Sequence, residues 1–152
     1  MMRDQQGMLT LQAQLEYACR KAGLKLTPQR LEIFRELATA SDHPSAETIH
    51  RRLLPRLPSL SLDTVYRTLA TFEKYGLITR VDSRESQARF ERAADDHHHV
   101  ICRNCGRITD FQWHRFDETS LPPEIEHWGR ISKKNATLYG ICRECEESAR
   151  RK

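Results

Sequence analysis

Two C-x-x-C pairs, Cys102-Arg-Asn-Cys105-Gly106 and Cys142-Arg-Glu-Cys145, constrain this 152-residue chain more than any other feature. A C-x-x-C turn aims two sulfurs at one point, and Gly106 lets the backbone curl behind the first pair. Two such turns complete a tetrahedral set of four thiolates. Zn²⁺ suits that set, being borderline soft, redox-inert and free of any d-electron geometry. Four thiolates leave no open position, so the site is expected to be structural. It would staple a region of fewer than 60 residues, too small to hold itself together by core burial alone. The 36 residues between Cys105 and Cys142 exceed a compact zinc ribbon, so further structure is inserted there. The competing reading is that the pairs form disulfides, which belong to oxidising compartments, or lie free. The remaining cysteine, Cys19, lies near the apolar face of a helix and reads as a small buried hydrophobe.

Composition narrows the compartment. No apolar run approaches the ~18 residues of a membrane helix, and MMRDQQGMLT has neither the apolar stretch nor the cleavage site of a signal peptide. A cytoplasmic protein without membrane contact is expected. The 25 basic and 21 acidic residues give a net charge of +4, only weak evidence for a polyanionic partner.

The first half reads as short helices. Leu11, Leu15, Ala18 and Ala22 recur at helical spacing, with Gly23 as a stop. Thr27 and Pro28 form an N-cap and first helical position ahead of Leu31, Phe34, Leu37 and Ala38. Ser45 caps a third helix burying Ala46, Ile49 and Leu53, which Pro55 and Pro58 end. Ser61 caps a fourth that runs to Tyr75 and buries Val65, Leu69 and Phe72. The period then changes. Leu77–Val81 and Ala88–Glu91 read as strands around the polar turn 82–86. Helices followed by a small hairpin outline a winged helix-turn-helix.

Periodicity is lost from Ala93 to Asp96, which places a boundary there: residues 1–93 form one domain and 94–152 a second. In the second, His99–Ile101, Arg107–Phe111 and Ala136–Ile141 are candidate strands. A helix is expected between Phe116 and Trp128, interrupted or delayed by Pro122-Pro123, and the tail after Cys145 is expected to fray. The class is α+β, a winged helix followed by a small α/β domain.

Asp95-Asp96-His97-His98-His99 stands just before the first cysteine pair. In extended chain His97 and His99 share one face and His98 takes the other. Two imidazoles on one face are half a site for Fe²⁺, Mn²⁺ or Zn²⁺. His43, Glu91 and Asp110 lie elsewhere, and spacing alone does not gather them. A histidine run by itself is as readily a solvated turn.

Five segments in order carry a resemblance. They are Leu26-Thr27-Pro28-Gln29-Arg30, His43-Pro44-Ser45-Ala46-Glu47, Thr64-Val65-Tyr66-Arg67-Thr68-Leu69, His97-His98-His99-x-x-Cys102-x-x-Cys105-Gly106 and Tyr139-Gly140-x-Cys142-x-x-Cys145. From about residue 15 to residue 145 the chain resembles the ferric-uptake-regulator (Fur) family. The resemblance implies a homodimeric, metal-dependent repressor that binds a palindromic, A·T-rich double-stranded DNA operator. It implies a winged-helix DNA-binding domain, a dimerisation domain and zinc on Cys102, Cys105, Cys142 and Cys145. It also implies a regulatory Fe²⁺ or Mn²⁺ held between the domains by His43, Glu91, His97, His99 and Asp110. Three nitrogens and two carboxylates suit those ions better than a soft metal. One ion bound to both domains would set the angle between them.

Asp110 and the Asp96-His97-x-His99 string resemble the peroxide-sensing branch, although Glu91 stands where that branch often has Asp. In that branch peroxide oxidises a ligand histidine, here His43 or His97, and DNA is released. Many iron sensors use a further His a few residues before Tyr-Gly; here that stretch is Ser132-Lys133-Lys134-Asn135-Ala136. An iron-responsive repressor is the alternative. A non-haem metalloenzyme built on His97, His99 and Glu91 is a remoter one, since the ligand set leaves little open coordination. No enzyme activity is expected.

The helix from Leu62 to Tyr75 leaves Asp63, Thr64, Arg67, Thr68 and Thr71 outward, with Tyr66 at the edge. Arg67 can fork onto a guanine or clamp a phosphate, and Tyr66 can meet a thymine methyl. Thr64 can touch phosphate or base, and Lys25 resembles the family's minor-groove lysine. Arg80, Arg84 and Arg89 on the hairpin are expected to meet phosphates. Without the motif these residues would pass for an ordinary solvated face.

Overall fold

Hydroxyl caps set where three helices of the first unit begin. A computed structural model describes residues 2–81, 87–93 and 96–151, with backbone alone over 2–9. The chain divides into two units, Met1–Ala94 and Asp95–Lys152. In the first, α1 (Met2–Lys21) stops ahead of Gly23, whose φ of 66° suits a residue without a Cβ. Helix α2 (Pro28–Thr39) starts where Thr27 accepts from the Arg30 N–H, α3 (Ala46–Leu53) where Ser45 accepts from Thr48, and α4 (Leu62–Lys74) where Ser61 accepts from Thr64. Each such cap contributes about 1 kcal/mol. Pro55 and Pro58 fall in the connection after α3, and a bond of 2.8 Å between His50 Nε2 and the Leu60 carbonyl ties that connection back onto α3.

The apolar stripes meet in one core. It contains Leu15 and Cys19 from α1, Ile33, Phe34 and Leu37 from α2, Ile49 and Leu53 from α3, and Val65, Leu69 and Phe72 from α4. Phe34 and Phe72 pack edge to face, 5.7 Å between centroids. Strands β1 (Ile78–Val81) and β2 (Arg89–Arg92) pair antiparallel and add Ile78 and Phe90 to the same core. The product is a winged helix-turn-helix. The expected turn at 82–86, with Arg84, lies outside the described residues, as do Ala94 and Asp95.

The second unit is a three-stranded sheet ordered β4-β3-β5, from β3 (His98–Cys102), β4 (Ile108–Phe111) and β5 (Thr137–Gly140). Strands β3 and β4 form a hairpin, while β5 runs parallel to β3 and needs the longer crossover that parallel pairing demands. That crossover corrects one expectation. Instead of a helix between Phe116 and Trp128 there is a single turn, α5 (His114–Glu118), then a 3₁₀ turn at Pro123–Ile125. Pro122-Pro123 has no N–H to give a helix at that point. The tail is a second correction: α6 (Arg143–Arg150) is helical where fraying was expected. Among the described residues of this unit, Ile101, Cys102 and Ile108 are the buried apolar side chains. Among the described residues, no helix is long and apolar enough to cross a membrane.

Candidate metal centre and nucleic-acid interface

The cysteine tetrad is assembled by two backbone devices and one ion pair. Cys102 ends β3, and Gly106, at φ 73°, turns the chain so that its N–H reaches the Cys102 carbonyl at 2.9 Å. Cys142 is the residue from which α6 springs, which puts Cys145 in the first turn of that helix. The Arg107 guanidinium grips the Glu144 carboxylate through two bonds of 2.8 and 2.5 Å, pinning α6 to the first turn. The four sulfurs lie within 4.8 Å of one another, with Cys102–Cys145 at 3.9 Å and Cys105–Cys142 at 3.8 Å. A tetrahedron with Zn–S bonds of about 2.3 Å has edges of about 3.8 Å, whereas a disulfide needs about 2.05 Å. Backbone N–H groups of Cys105 and then Cys142 pull the Cys102 thiol down to about 6. The Asn104 side chain draws Cys145 down as well, but the Cys142 sulfur, burial and the other two sulfurs outweigh it and lift that thiol to about 11. Four sulfurs this close cannot all ionise without a dication among them. The set fits structural zinc.

In the first unit His43 and Glu91 form a pair. His43 Nε2 lies 3.0 Å from Glu91 Oε2, and both side chains are largely shielded. His43 occupies the turn between α2 and α3 at φ 50°, a left-handed conformation that costs a non-glycine residue on the order of 1–3 kcal/mol. The turn is fastened to β2: the Phe90 N–H donates to the Pro44 carbonyl at 3.1 Å, and Ser45 bridges to Arg89. Arg89 Nη2 donates to the Asp42 carbonyl at 2.7 Å, and Arg89 Nε donates to the carbonyl of His43. Arg89, expected to meet phosphate, thus spends these donors on the turn.

In the second unit the pleat does the gathering. His99 faces Asp110 across the β3–β4 ladder, and His97, two residues earlier, falls on the same side. His97 and His99 bring their Nε2 atoms to 3.1 Å, and Asp110 Oδ1 lies 3.7 and 3.4 Å from them. His98 points the other way and is buried. Its Nδ1 accepts from the Ala136 N–H at 3.0 Å, its Nε2 lies 3.0 Å from Asp117 Oδ1, and Phe111, Trp113 and Phe116 surround its ring. In the stretch before Tyr139, Lys133 forms an ion pair with Asp96 at 2.8 Å.

Lys25, Thr64 and Arg67 line one groove of about 400 Å³, together with Thr27 and Arg30. Arg67 is exposed and held by Asp63, one turn earlier, at 2.9 Å. Tyr66 is exposed but does not line that groove; its hydroxyl donates to the Glu47 carboxylate of α3. That bond holds the Glu47 carboxyl below its usual range and lifts the phenol. Thr68 corrects the expected outward face, since it is buried. Arg80 pairs with Glu73 at 3.4 Å and covers the Phe90 ring.

Sequence reasoning missed Arg89, Glu47 and His98 as supports. Period two placed Arg89 beside Glu91 on one strand face, which was the available signal. The Glu47–Tyr66 bond joins two helices and left no local trace.

Comparison with known proteins agrees with this layout. The model of the Ferric uptake regulator family matches residues 21–139. The Peroxide-responsive repressor PerR of Staphylococcus epidermidis is 34% identical over 128 residues, covering 84% of this chain and 85% of that protein. The ferric uptake regulator Fur of Helicobacter pylori, described as having three functional metal binding sites, superposes with a TM-score of 0.76. It is 26% identical, over 91% of this chain and 93% of that one. The ferric uptake regulator of Pseudomonas aeruginosa, solved with manganese, gives a TM-score of 0.70 at 31% identity, over 84% of this chain and 97% of that one. From the winged helix through the first cysteine pair to the last strand, the chain belongs to the ferric uptake regulator family.

Proposed function

We propose that this chain is a homodimeric, metal-dependent transcriptional repressor that binds a palindromic DNA operator and lets go when peroxide oxidises a ligand histidine. The observation that carries the reading is the pair of half-sites, His43 with Glu91 in one unit and His97, His99 and Asp110 in the other. Each offers nitrogen and carboxylate oxygen, the donor set of Fe²⁺ or Mn²⁺. Neither half alone fills a coordination sphere. One ion taking ligands from both fixes the angle between the units, and hence between the two reading heads of a dimer.

The chain's own residues divide the remaining work. Cys102, Cys105, Cys142 and Cys145 hold zinc and keep the second unit folded. Self-association falls to that unit, where β5 lies at the sheet edge and Leu138, Tyr139 and Ile141 are exposed. Lys25, Thr64, Tyr66 and Arg67 face the operator. The protein is a regulator and not an enzyme, and it works in the cytoplasm, where its operator is. Alanine in place of Arg67 is expected to abolish operator retardation on gels with metal content unchanged; loss of both would mean misfolding instead.

Asp110, and the names of relatives such as the Staphylococcus epidermidis PerR, favour peroxide over iron as the signal. When bound, Fe²⁺ supplies the electrons that turn peroxide into an oxidant of a neighbouring ring. His43 and His97, one in each half-site, are the rings that oxidation would strike. Operator binding measured in Mn²⁺, in Fe²⁺ and in Fe²⁺ plus peroxide tests the reading. Release is expected only in the last case, with a single-oxygen adduct on the peptide carrying His43 or His97. Retention without an adduct would favour the iron-responsive repressor.

A further inference from the structure

The His43 turn has an unusual construction. A histidine sits at φ 50° between two helices, and its position is set by a side chain 46 residues away. The Arg89 guanidinium caps two successive carbonyls, those of Asp42 and His43, from a strand whose next outward residue on the same face is Glu91. One strand thus carries both the partner of the His43 ring and the clamp on the His43 backbone. A guanidinium can hold two carbonyls at once because it is planar, always charged, and has several donors in a fixed fork. Lysine would reach one carbonyl at a time.

We propose that Arg89 is a positioning residue for the regulatory metal: it holds the Asp42–His43 turn in its left-handed form and so delivers the His43 imidazole to Glu91. The proposal rests on the reading of His43 and Glu91 as ligands. Arg89 touches neither the ion nor the DNA. Its contribution is that His43 need not be ordered at the moment of binding, as with other groups that orient a metal ligand.

The test uses the whole chain as Arg89→Lys, Arg89→Gln and, separately, His43→Ala. Mn²⁺ affinity is read directly by calorimetry, and operator affinity is read at saturating Mn²⁺. For Arg89→Gln, Mn²⁺ affinity is expected to fall by about 10–100-fold, while the affinity for operator at saturation stays within about twofold. Arg89→Lys falls between. Without added metal, histidine ¹⁵N spectra should show the His43 ring shifted in Arg89→Gln and the His97 and His99 rings unmoved. An Arg89 that contacts phosphate gives the opposite split: Mn²⁺ affinity unchanged and operator affinity lowered at saturation, with a salt slope smaller by about one. That result overturns the proposal. Unchanged Mn²⁺ binding in Arg89→Gln overturns it too, provided His43→Ala weakens Mn²⁺. If His43→Ala leaves Mn²⁺ affinity unmoved, the ligand reading itself fails, and the proposal goes with it. Should the glutamine variant not fold, the lysine variant and its ring spectra decide between the same outcomes.

Discussion

Serine in place of Cys102 is expected to cost the second unit its zinc and its fold together. The buried apolar side chains described in that unit are few, Ile101, Cys102 and Ile108, so hydrophobic burial cannot hold three strands and a helix. Zinc on four thiolates contributes an apparent ~10–16 kcal/mol in small metal-folded domains, as much as the whole stability of a typical domain, ~5–15 kcal/mol. The Arg107–Glu144 fork remains in the variant, but it is exposed and adds little. Elemental analysis should find zinc lost, amide spectra should show the β3–β5 resonances collapsed, and sedimentation should find monomers. The first unit, with its own core, should keep its helical signal. Dispersed β3–β5 resonances in zinc-free protein would count against a structural role for the metal.

Alanine in place of His43 should remove the dependence of operator binding on Mn²⁺. On the proposed reading, the substitution leaves Glu91 alone in its half-site, and the ion is left with the ligands His97, His99 and Asp110. Operator affinity in Mn²⁺ is then expected to fall to the metal-free level, a loss of about 5–150-fold for a coupling of ordinary size. Zinc content should be unaffected, because the four cysteines lie in the other unit, and so should the dimer if self-association falls to that unit as proposed. A titration in which the variant still gains affinity with Mn²⁺ would show that the regulatory ion works without the first unit.

Signals that act over a few residues are legible in the sequence. Thr27, Ser45 and Ser61 cap their helices as expected, because a cap is a contact across three residues. The sharing of one face by His97 and His99 followed from the pleat alone. Over 116–128 the prolines at 122 and 123 mark an interruption legibly, but not that only a single helical turn and a 3₁₀ turn remain on either side of it. Helix α6 was missed for another reason. It has no buried residue, and what fixes its start is a pair of metal-ligand positions, Cys142 and Cys145, rather than an apolar stripe. The left-handed turn at His43 and its clamp by Arg89 were illegible because the contact spans 46 residues and no local propensity records it.

The tetrad draws its sulfurs from two places in the chain, and Cys145 is 43 residues beyond Cys102. A ribosome adding ~5–20 residues per second needs roughly 2–9 s to cover that interval. Through those seconds the nascent polypeptide carries one bare thiol pair, open to oxidants and to stray thiophilic ions. Capture of the correct metal therefore waits on arrival of the second pair, and the fold it staples cannot settle before then.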